Sequence, residues 1–263
     1  MSERASRIAC VAAAGVALMA SLEGCIGPAA RGLPVAHAYG PDGGGDPFVA
    51  AFQGLRPSVV LFTMKIPSDD KKKAARGERD DAYGSGVIVA SGAWGSRILT
   101  VEHVVHDATA LRITIGEHHV VPCRVVATDA KADLAIVETS AAELPVATLG
   151  RSRAIVPGMQ IGVAGYPIPD AFQDEGLITA TSVFAGRVSS VRNDSVELDV
   201  PIIPGESGGP IFDASDARVI ALAESRFDEE RAIGFGIPID DATRFLAKHP
   251  RRLLRANASE RVR

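Results

Sequence analysis

A glycine-rich turn that carries a serine between two apolar segments constrains this chain more than any other feature. The turn is Gly205-Glu206-Ser207-Gly208-Gly209. The preceding segment 196–200 alternates apolar and polar residues as a half-buried strand does, and Pro210 opens a second extended segment. Glycines adopt backbone conformations that other residues rarely reach, so the amides of such a turn can converge on one oxygen atom. We expect the amides of Gly205 and Ser207 to form an oxyanion hole.

A histidine and an aspartate upstream supply the groups that a serine nucleophile needs. A serine hydroxyl is a poor nucleophile at neutral pH, and a histidine base held by an acid activates it. His103 follows the strand-like segment 97–101, and Asp133 opens the apolar segment 133–137. Asp129, four residues earlier, is a rival for the role of the acid.

These residues occur in segments that resemble the trypsin-like serine peptidases, and within them the HtrA/Deg branch of bacterial proteases. The matching segments are Gly84-Ser85-Gly86-Val87-Ile88-Val89, Leu99-Thr100-Val101-Glu102-His103-Val104-Val105, Asp133-Leu134-Ala135-Ile136-Val137, Gly205-Glu206-Ser207-Gly208-Gly209-Pro210 and Gly234-Phe235-Gly236-Ile237-Pro238-Ile239. The resemblance implies a catalytic triad of His103, Asp133 and Ser207. It favours Asp133 over Asp129, because the residues behind Asp133 match the family motif.

The fold class that this resemblance implies is mostly β, with two packed antiparallel β-barrels of the trypsin-like (chymotrypsin) fold and the active site between them. The residue pattern agrees, because short apolar segments alternate with turn residues, among them 26 glycines and 16 prolines. We place a protease domain at 46–247, with barrels at about 46–141 and 158–240. The seam between the barrels is expected within 142–157.

The serine turn also satisfies the Gly-x-Ser-x-Gly pattern of the α/β hydrolases. That fold requires a helix directly after the serine. Pro210 and the β-branched Ile211 follow too closely for a helix, and the only later histidine, His249, lies in a basic terminal segment. This second interpretation is therefore disfavoured.

The N-terminal segment has the pattern of a bacterial export signal. Two arginines precede an apolar run over 8–22, which is too short to span a bilayer comfortably. The run ends in Leu22-Glu23-Gly24-Cys25, which resembles a lipobox although Glu23 is unusual there. We expect a signal peptide over 1–25, lipidation of Cys25 and a flexible tether over 26–45. Secretion after Ala36-His37-Ala38 is the competing interpretation.

The protein is accordingly expected to be exported to the cell envelope or periplasm, with a lipid anchor as its contact with the membrane.

Cys123 is left without a cysteine partner, so we expect no disulfide in the folded domain. The histidine pairs lack the spacing of zinc ligands, so we expect no metal and no cofactor. Residues 248–263 form a basic tail, but the whole chain has a net charge of −4, which disfavours nucleic-acid binding.

The resemblance also directs attention to the residues that set specificity. In trypsin-like enzymes the sixth residue before the nucleophile lies at the base of the pocket, and here it is Pro201, followed by Ile202. Because no charge occurs there, we expect cleavage after small or medium aliphatic residues. Ala223, Glu224 and Ser225 are expected to offer the strand edge that pairs with a polypeptide substrate.

Three departures from the HtrA pattern bear on function. Glu206 and Ile203 replace residues that are usually asparagine, and the chain ends about sixteen residues beyond Ala247, so we expect no PDZ domain. A homo-oligomer would then form through the protease domain.

The expected function is a serine endopeptidase that cleaves unfolded or exposed polypeptide. The alternative is a binding or chaperone protein of protease fold with a latent or inactive site.

Overall fold

Twelve strands form two closed antiparallel barrels, which confirms the predicted fold class. The structure is a computed structural model that describes residues 45–251, apart from 69–70, 72–74, 117, 178 and 225–232. The first barrel contains β1 (Val59–Pro67), β2 (Arg79–Gly92), β3 (Gly95–Thr100), β4 (Thr109–Ile115), β5 (His119–Asp129) and β6 (Leu134–Thr139). The second contains β7 (Gln160–Gly165), β8 (Ser182–Val191), β9 (Val196–Leu198), β10 (Pro210–Asp213), β11 (Val219–Glu224) and β12 (Gly234–Pro238). Their strands pair in the orders β1-β2-β3-β6-β5-β4 and β10-β11-β12-β9-β8-β7.

The described helices are short and lie outside the barrels. They are α1 (Pro47–Leu55), α2 (Glu102–Val105), α3 (Pro169–Asp174) and α4 (Ile239–Lys248), with 3₁₀ turns at Arg56–Ser58 and Ser152–Ala154. Asp46 caps α1 by accepting the amide of Phe48 at 2.9 Å, and Pro47 suits the first helical position. Among the described helices, none has the length and apolar character needed to cross a bilayer.

The apolar patterns of the strands follow from what covers each face. β11 is buried along its whole length because the barrel interior lies on one side and α4 packs against the other. Its residues 219–223 accordingly form a continuous apolar run, and Glu224 ends it. β4 has a freer outer face, so exposed and buried residues alternate over Leu111–Ile113.

One apolar core joins the two barrels. Phe62 and Leu99 of the first barrel belong to the same buried cluster as Phe212 and Leu222 of the second, and all four side chains are fully buried. Phe48 of α1 stacks on Phe212 with 5.8 Å between the ring centroids. The helix before the first barrel is thereby attached to a strand of the second.

The segment 140–159 links β6 to β7 and touches both barrels. The amide of Ala147 donates to the carbonyl of Ile88 at 2.9 Å, and the amide of Gly150 donates to the carbonyl of Val219 at 2.8 Å. His103 and Asp133 precede this link, and Ser207 follows it. The three candidate residues are therefore contributed by two different barrels.

Candidate active site

His103 and Asp133 are brought together at the ends of two paired strands. His103 lies in α2, three residues past the end of β3, and Asp133 immediately precedes β6. β3 and β6 are antiparallel neighbours, so the end of one meets the start of the other. The ring Nδ1 of His103 lies 2.7 Å from Asp133 Oδ2, and the backbone amide of His103 donates to Asp133 Oδ1 at 2.9 Å. One carboxylate thus holds both the ring and the backbone of the histidine.

The backbone of Asp133 is in the left-handed region, with φ 50°. Few residues other than glycine adopt this conformation, and aspartate is one that tolerates it. Asp129 has a separate role, because its Oδ1 accepts the amides of Lys131 and Ala132 at 3.1 Å each. It holds the turn before Asp133.

The charges of the pair favour a basic imidazole. Burial opposes protonation of His103, but the hydrogen bond and the charge of Asp133 outweigh it and raise the pKa of the imidazole above its usual 6.5. Glu224 and Glu102 act in the same direction. Burial raises the pKa of Asp133, but its hydrogen bonds from His103 outweigh burial and lower it. Asp133 therefore stays ionised while His103 is a good proton acceptor.

The turn that carries Ser207 is hydrogen-bonded to both barrels. The amide of Ser85, in β2, donates to the carbonyl of Ser207 at 2.8 Å, and its hydroxyl donates to the carbonyl of Gly205 at 2.6 Å. On the other side, the amide of Gly208 donates to the carbonyl of Ala223 at 2.8 Å. These bonds hold the serine turn where the barrels meet.

The amides of Gly205 and Ser207 are left without acceptors among the described residues. Gly205 has φ 93°, and a Cβ there would collide with the carbonyl oxygen of Tyr166, so the position requires glycine. The carbonyl of Pro204 accepts the amide of Ile168 at 2.7 Å, and the N–H of Gly205 points the opposite way across the same planar peptide. In the described part of the chain, the amides of Gly205 and Ser207 make no internal hydrogen bond. Both can therefore bind an oxyanion.

The serine is not yet engaged by the histidine. Among the hydrogen bonds of the described residues, none joins the ring of His103 to the hydroxyl of Ser207. Ser207 is 6% exposed, whereas the side chain of His103 is 44% exposed. Catalytic hydrogen bonds are often long before substrate binds. The His103–Asp133 pair and the serine turn are thus two separately held parts of the site.

Two residues expected to set specificity differ in burial. Pro201 is half-buried, whereas Ile202 is 6% exposed and packs with Val163 and Val188 in the core of the second barrel. No charged side chain occupies either position. Ile202 is therefore chiefly a core residue of the barrel.

Ala223 does not offer the free strand edge that was expected of it. Its amide donates to Gly209 and its carbonyl accepts from Gly208, both at 2.8 Å, so the backbone of Ala223 is occupied within the protein. Glu224 lines a groove of about 630 Å³ together with His103 and Asp133. Ser225 lies outside the described residues, as does Cys25.

Two residues emerge here that sequence reasoning did not assign to the site. Ser85 makes the bonds described above, accepts the amide of Tyr166 at 3.0 Å and is fully buried. Glu206 is also fully buried, and its Oε2 accepts the amide of Ile203 at 2.8 Å. The Gly-Ser-Gly pattern around Ser85 was the available signal for the first.

Within the described ranges, no group of three His, Cys, Asp or Glu side chains is arranged to hold a metal ion.

Curated proteins similar in sequence to this chain are named as serine proteases. The chain is 28% identical over 199 residues to a probable periplasmic serine endoprotease DegP-like of Pseudomonas fluorescens, covering 72% of this chain and 40% of that protein. It is 31% identical over 167 residues to a putative serine protease HhoB of Synechocystis, covering 62% of this chain and 39% of that protein. The chain therefore spans about two fifths of the length of these curated relatives.

Solved structures share the fold. The HtrA-type protease AlgW with tripeptide has a TM-score of 0.62 at 24% identity, covering 77% of this chain and 64% of that chain. The serine endoprotease from Yersinia pestis has a TM-score of 0.61 at 25% identity, covering 76% of this chain and 65% of that chain. The model of the trypsin-like peptidase domain matches residues 84–222, more than half of the chain and the stretch that contains all three candidate residues. The chain belongs to the trypsin-like peptidase family.

Proposed function

We propose that the protein is a serine endopeptidase that uses His103, Asp133 and Ser207. His103 Nδ1 is committed to Asp133, so Nε2 takes the proton of Ser207 as its hydroxyl oxygen attacks a peptide carbonyl. The amides of Gly205 and Ser207 stabilise the oxyanion that forms. His103 then gives the proton to the leaving amine, and a water repeats the sequence to release the acyl group.

The observation that carries this proposal is the His103–Asp133 pair, at 2.7 Å, together with a serine turn whose two amides find no acceptor among the described residues. A structural histidine would not need a half-buried carboxylate bonded to both its ring and its backbone. A structural turn would normally satisfy buried amides within the protein. Together these features fit the activation of Ser207.

Labelling with a fluorophosphonate probe tests the nucleophile without knowledge of the substrate. We expect the purified protein to be labelled, and Ser207→Ala and His103→Ala to be unlabelled. Ser189→Ala, an exposed serine on β8, is the matched control and keeps full labelling. Equal labelling of the parent and of Ser207→Ala would refute the assignment.

The substrate is proposed to be unfolded or exposed polypeptide cut after small or medium aliphatic residues. No charged side chain stands at Pro201 or Ile202 to select a basic or acidic residue. A peptide library analysed by mass spectrometry tests this directly. Cleavage mainly after Arg, Lys or Glu would contradict it.

The location is proposed to be the periplasm or cell envelope. The curated relatives include proteins named as periplasmic, which supports export. We also propose that a lipid on Cys25 anchors the protein, and any homo-oligomer would form through the protease domain. Intact-mass measurement of the protein from the membrane fraction tests the anchor, since an unmodified chain beginning at Tyr39 would exclude it.

A latent binding or chaperone protein is the second candidate function. The observation that favours it is that His103 and Ser207 make no hydrogen bond in the described structure. It predicts binding of unfolded protein that survives Ser207→Ala, with no turnover by the parent. Turnover by the parent would exclude it.

A further inference from the structure

Glu206 is a buried acid inside the serine turn, and the proposed mechanism does not use it. It directly precedes Ser207 and directly follows Gly205, so it lies between the two amides proposed to bind the oxyanion. Its side chain is fully buried. Carboxyl groups are rarely buried to this extent without a charged partner.

The carboxyl group has one hydrogen bond for two oxygens. Oε2 accepts the amide of Ile203 at 2.8 Å, and the amide of Glu206 itself donates to the carbonyl of Ile203 at 2.9 Å. Oε1 is buried and has no hydrogen-bond partner in the described structure. The side chain therefore closes a small ring over 203–206 and leaves one oxygen unsatisfied.

The described surroundings of this carboxyl group supply no charge to compensate. Gly165, at the end of β7, packs so closely that a Cβ on it would lie 3.1 Å from the Cα of Glu206. Tyr166 is the titratable residue that follows Gly165, and its hydroxyl is bonded to Thr181 at 2.9 Å. Burial raises the pKa of Glu206 to about 7 and the amide of Ile203 opposes this, with no contribution from a charged side chain of the described residues. β2 contributes the uncharged Ser85 beside Gly165.

The two protonation states place different demands on this turn. A neutral carboxyl tolerates one accepted hydrogen bond, whereas a buried carboxylate with an unpaired oxygen is costly. The side chain of Glu206 is fully buried, so its carboxyl group does not reach water while the turn keeps its shape. Hydration therefore requires residue 206 to turn outward, which rotates the peptide groups on both sides of it, including the amide of Ser207.

We propose that Glu206 is a positioning residue that keeps the oxyanion hole formed while its carboxyl is protonated, and that loss of this proton opens the hole. The inference rests on the proposed function, since it needs Ser207 to be a nucleophile. Glu206 acts through the peptide groups on either side of it and touches no reacting atom.

The consequence is an activity limited on both sides of neutrality. His103 must lose a proton to act as a base, which sets the acid limb. Glu206 must keep its proton, which adds an alkaline limb. At pH values where Glu206 has lost its proton, the rate falls up to about tenfold for each pH unit, which is the slope for loss of one proton.

The pH dependence of labelling at Ser207 is the deciding experiment. Rates are measured with the fluorophosphonate probe from about pH 5.5 to about pH 9.5. We expect the parent to slow above neutrality and Glu206→Gln to keep its rate up to the highest pH, because an amide cannot lose the proton. Glu175→Gln, an exposed glutamate beyond α3, is the matched control and should slow like the parent.

The outcomes separate the two proposals. No labelling of the parent at any pH would refute the peptidase, whereas labelling that stays constant above neutrality would refute only the role of Glu206. An alkaline limb that persists in Glu206→Gln would also refute it. If that variant does not fold, the parent decides: its loss must reverse on return to neutral pH and must occur while circular dichroism reports a folded protein. Loss that accompanies unfolding would overturn the inference.

Discussion

At the scale of single residues, hydrogen bonds decide which of two similar aspartates can act with His103. Asp133 bonds to the ring and the amide of His103, whereas the side chain of Asp129 is used by the turn before it. The raised pKa of His103 follows mainly from Asp133 acting against burial. The protonated pair contributes stability below the ordinary histidine pKa, and this is lost as pH rises through the raised one.

Asp133→Asn should lower kcat by about 10³- to 10⁴-fold, because the imidazole loses the group that fixes its orientation and stabilises its charge. The acid limb of kcat/KM should also move to lower pH, since burial then acts on His103 without Asp133 to oppose it. A pH profile of peptide hydrolysis measures both effects. Asp129→Asn is the control, and a loss of similar size there would point to the wrong acid.

Glu206→Gln should stabilise the fold at alkaline pH and leave it unchanged at acid pH. The pKa of Glu206 is raised from 4.5 to about 7, so folding favours its protonated form and stability falls as pH rises from about 4.5 through about 7. A shift of this size corresponds to roughly 3 kcal/mol above pH 7. Urea unfolding of both proteins at acid and alkaline pH checks this, and an equal difference at both would contradict it.

At the scale of elements, β2 positions the serine turn although it belongs to the other barrel. Ser85 donates to the carbonyls of both Gly205 and Ser207. Its own carbonyl accepts the hydroxyl of Thr100, in β3, at 2.8 Å. Ser85, which is fully buried, thus connects β3, the strand that leads to His103, to the turn that carries Ser207.

Ser85→Ala should lower kcat by about 10- to 100-fold with little change in KM, because the turn loses a bond that orients Gly205. It should also cost about 1–3 kcal/mol of stability, since the carbonyl of Gly205 is left without its donor. Ser91→Ala, also on β2, removes bonds to Ser96 and to the amide of Leu144 far from the turn. Steady-state kinetics and urea unfolding compare the two variants. An equal loss of kcat in both would show a general effect on the fold and contradict the positioning role of Ser85.

At the scale of the whole molecule, we expect the apolar cluster shared by the two barrels to make them unfold as one unit. Phe212 lies on a strand of the second barrel but packs in the cluster that contains the core of the first. Trp94 is the only tryptophan of the chain and lies in the turn between β2 and β3. Its fluorescence therefore reports on the first barrel.

Phe212→Ala should lower the free energy of unfolding by about 3–5 kcal/mol, because it leaves a cavity in this core. The unfolding transition seen by Trp94 fluorescence should shift together with that seen by far-UV circular dichroism, although the substitution is in the other barrel. Val191→Ala, an exposed position on β8, is the control and should shift neither. A Trp94 transition that stays in place would show that the barrels unfold independently.

Much of the fold was predictable because local patterns and their order carry it. Alternating apolar segments separated by turns indicate strands, and the order of His103, Asp133 and Ser207 in matching segments indicates a two-barrel protein. The lack of a free strand edge at Ala223 was not predictable, because it depends on which residues the backbone of Ala223 meets in the folded protein. Here the neighbours are Gly208 and Gly209.

The sequence by itself determined which residues are available for the chemistry: one serine in a glycine turn, a histidine after a strand and an aspartate before the next. Covalent neighbours and strand periodicity are local properties, so the chain displays them directly. Only the tertiary structure decided that Ser85 reaches across to the serine turn and that Glu206 is buried with one oxygen unpaired. Burial and long-range hydrogen bonds depend on contacts between residues far apart in the chain, and a linear pattern does not contain them.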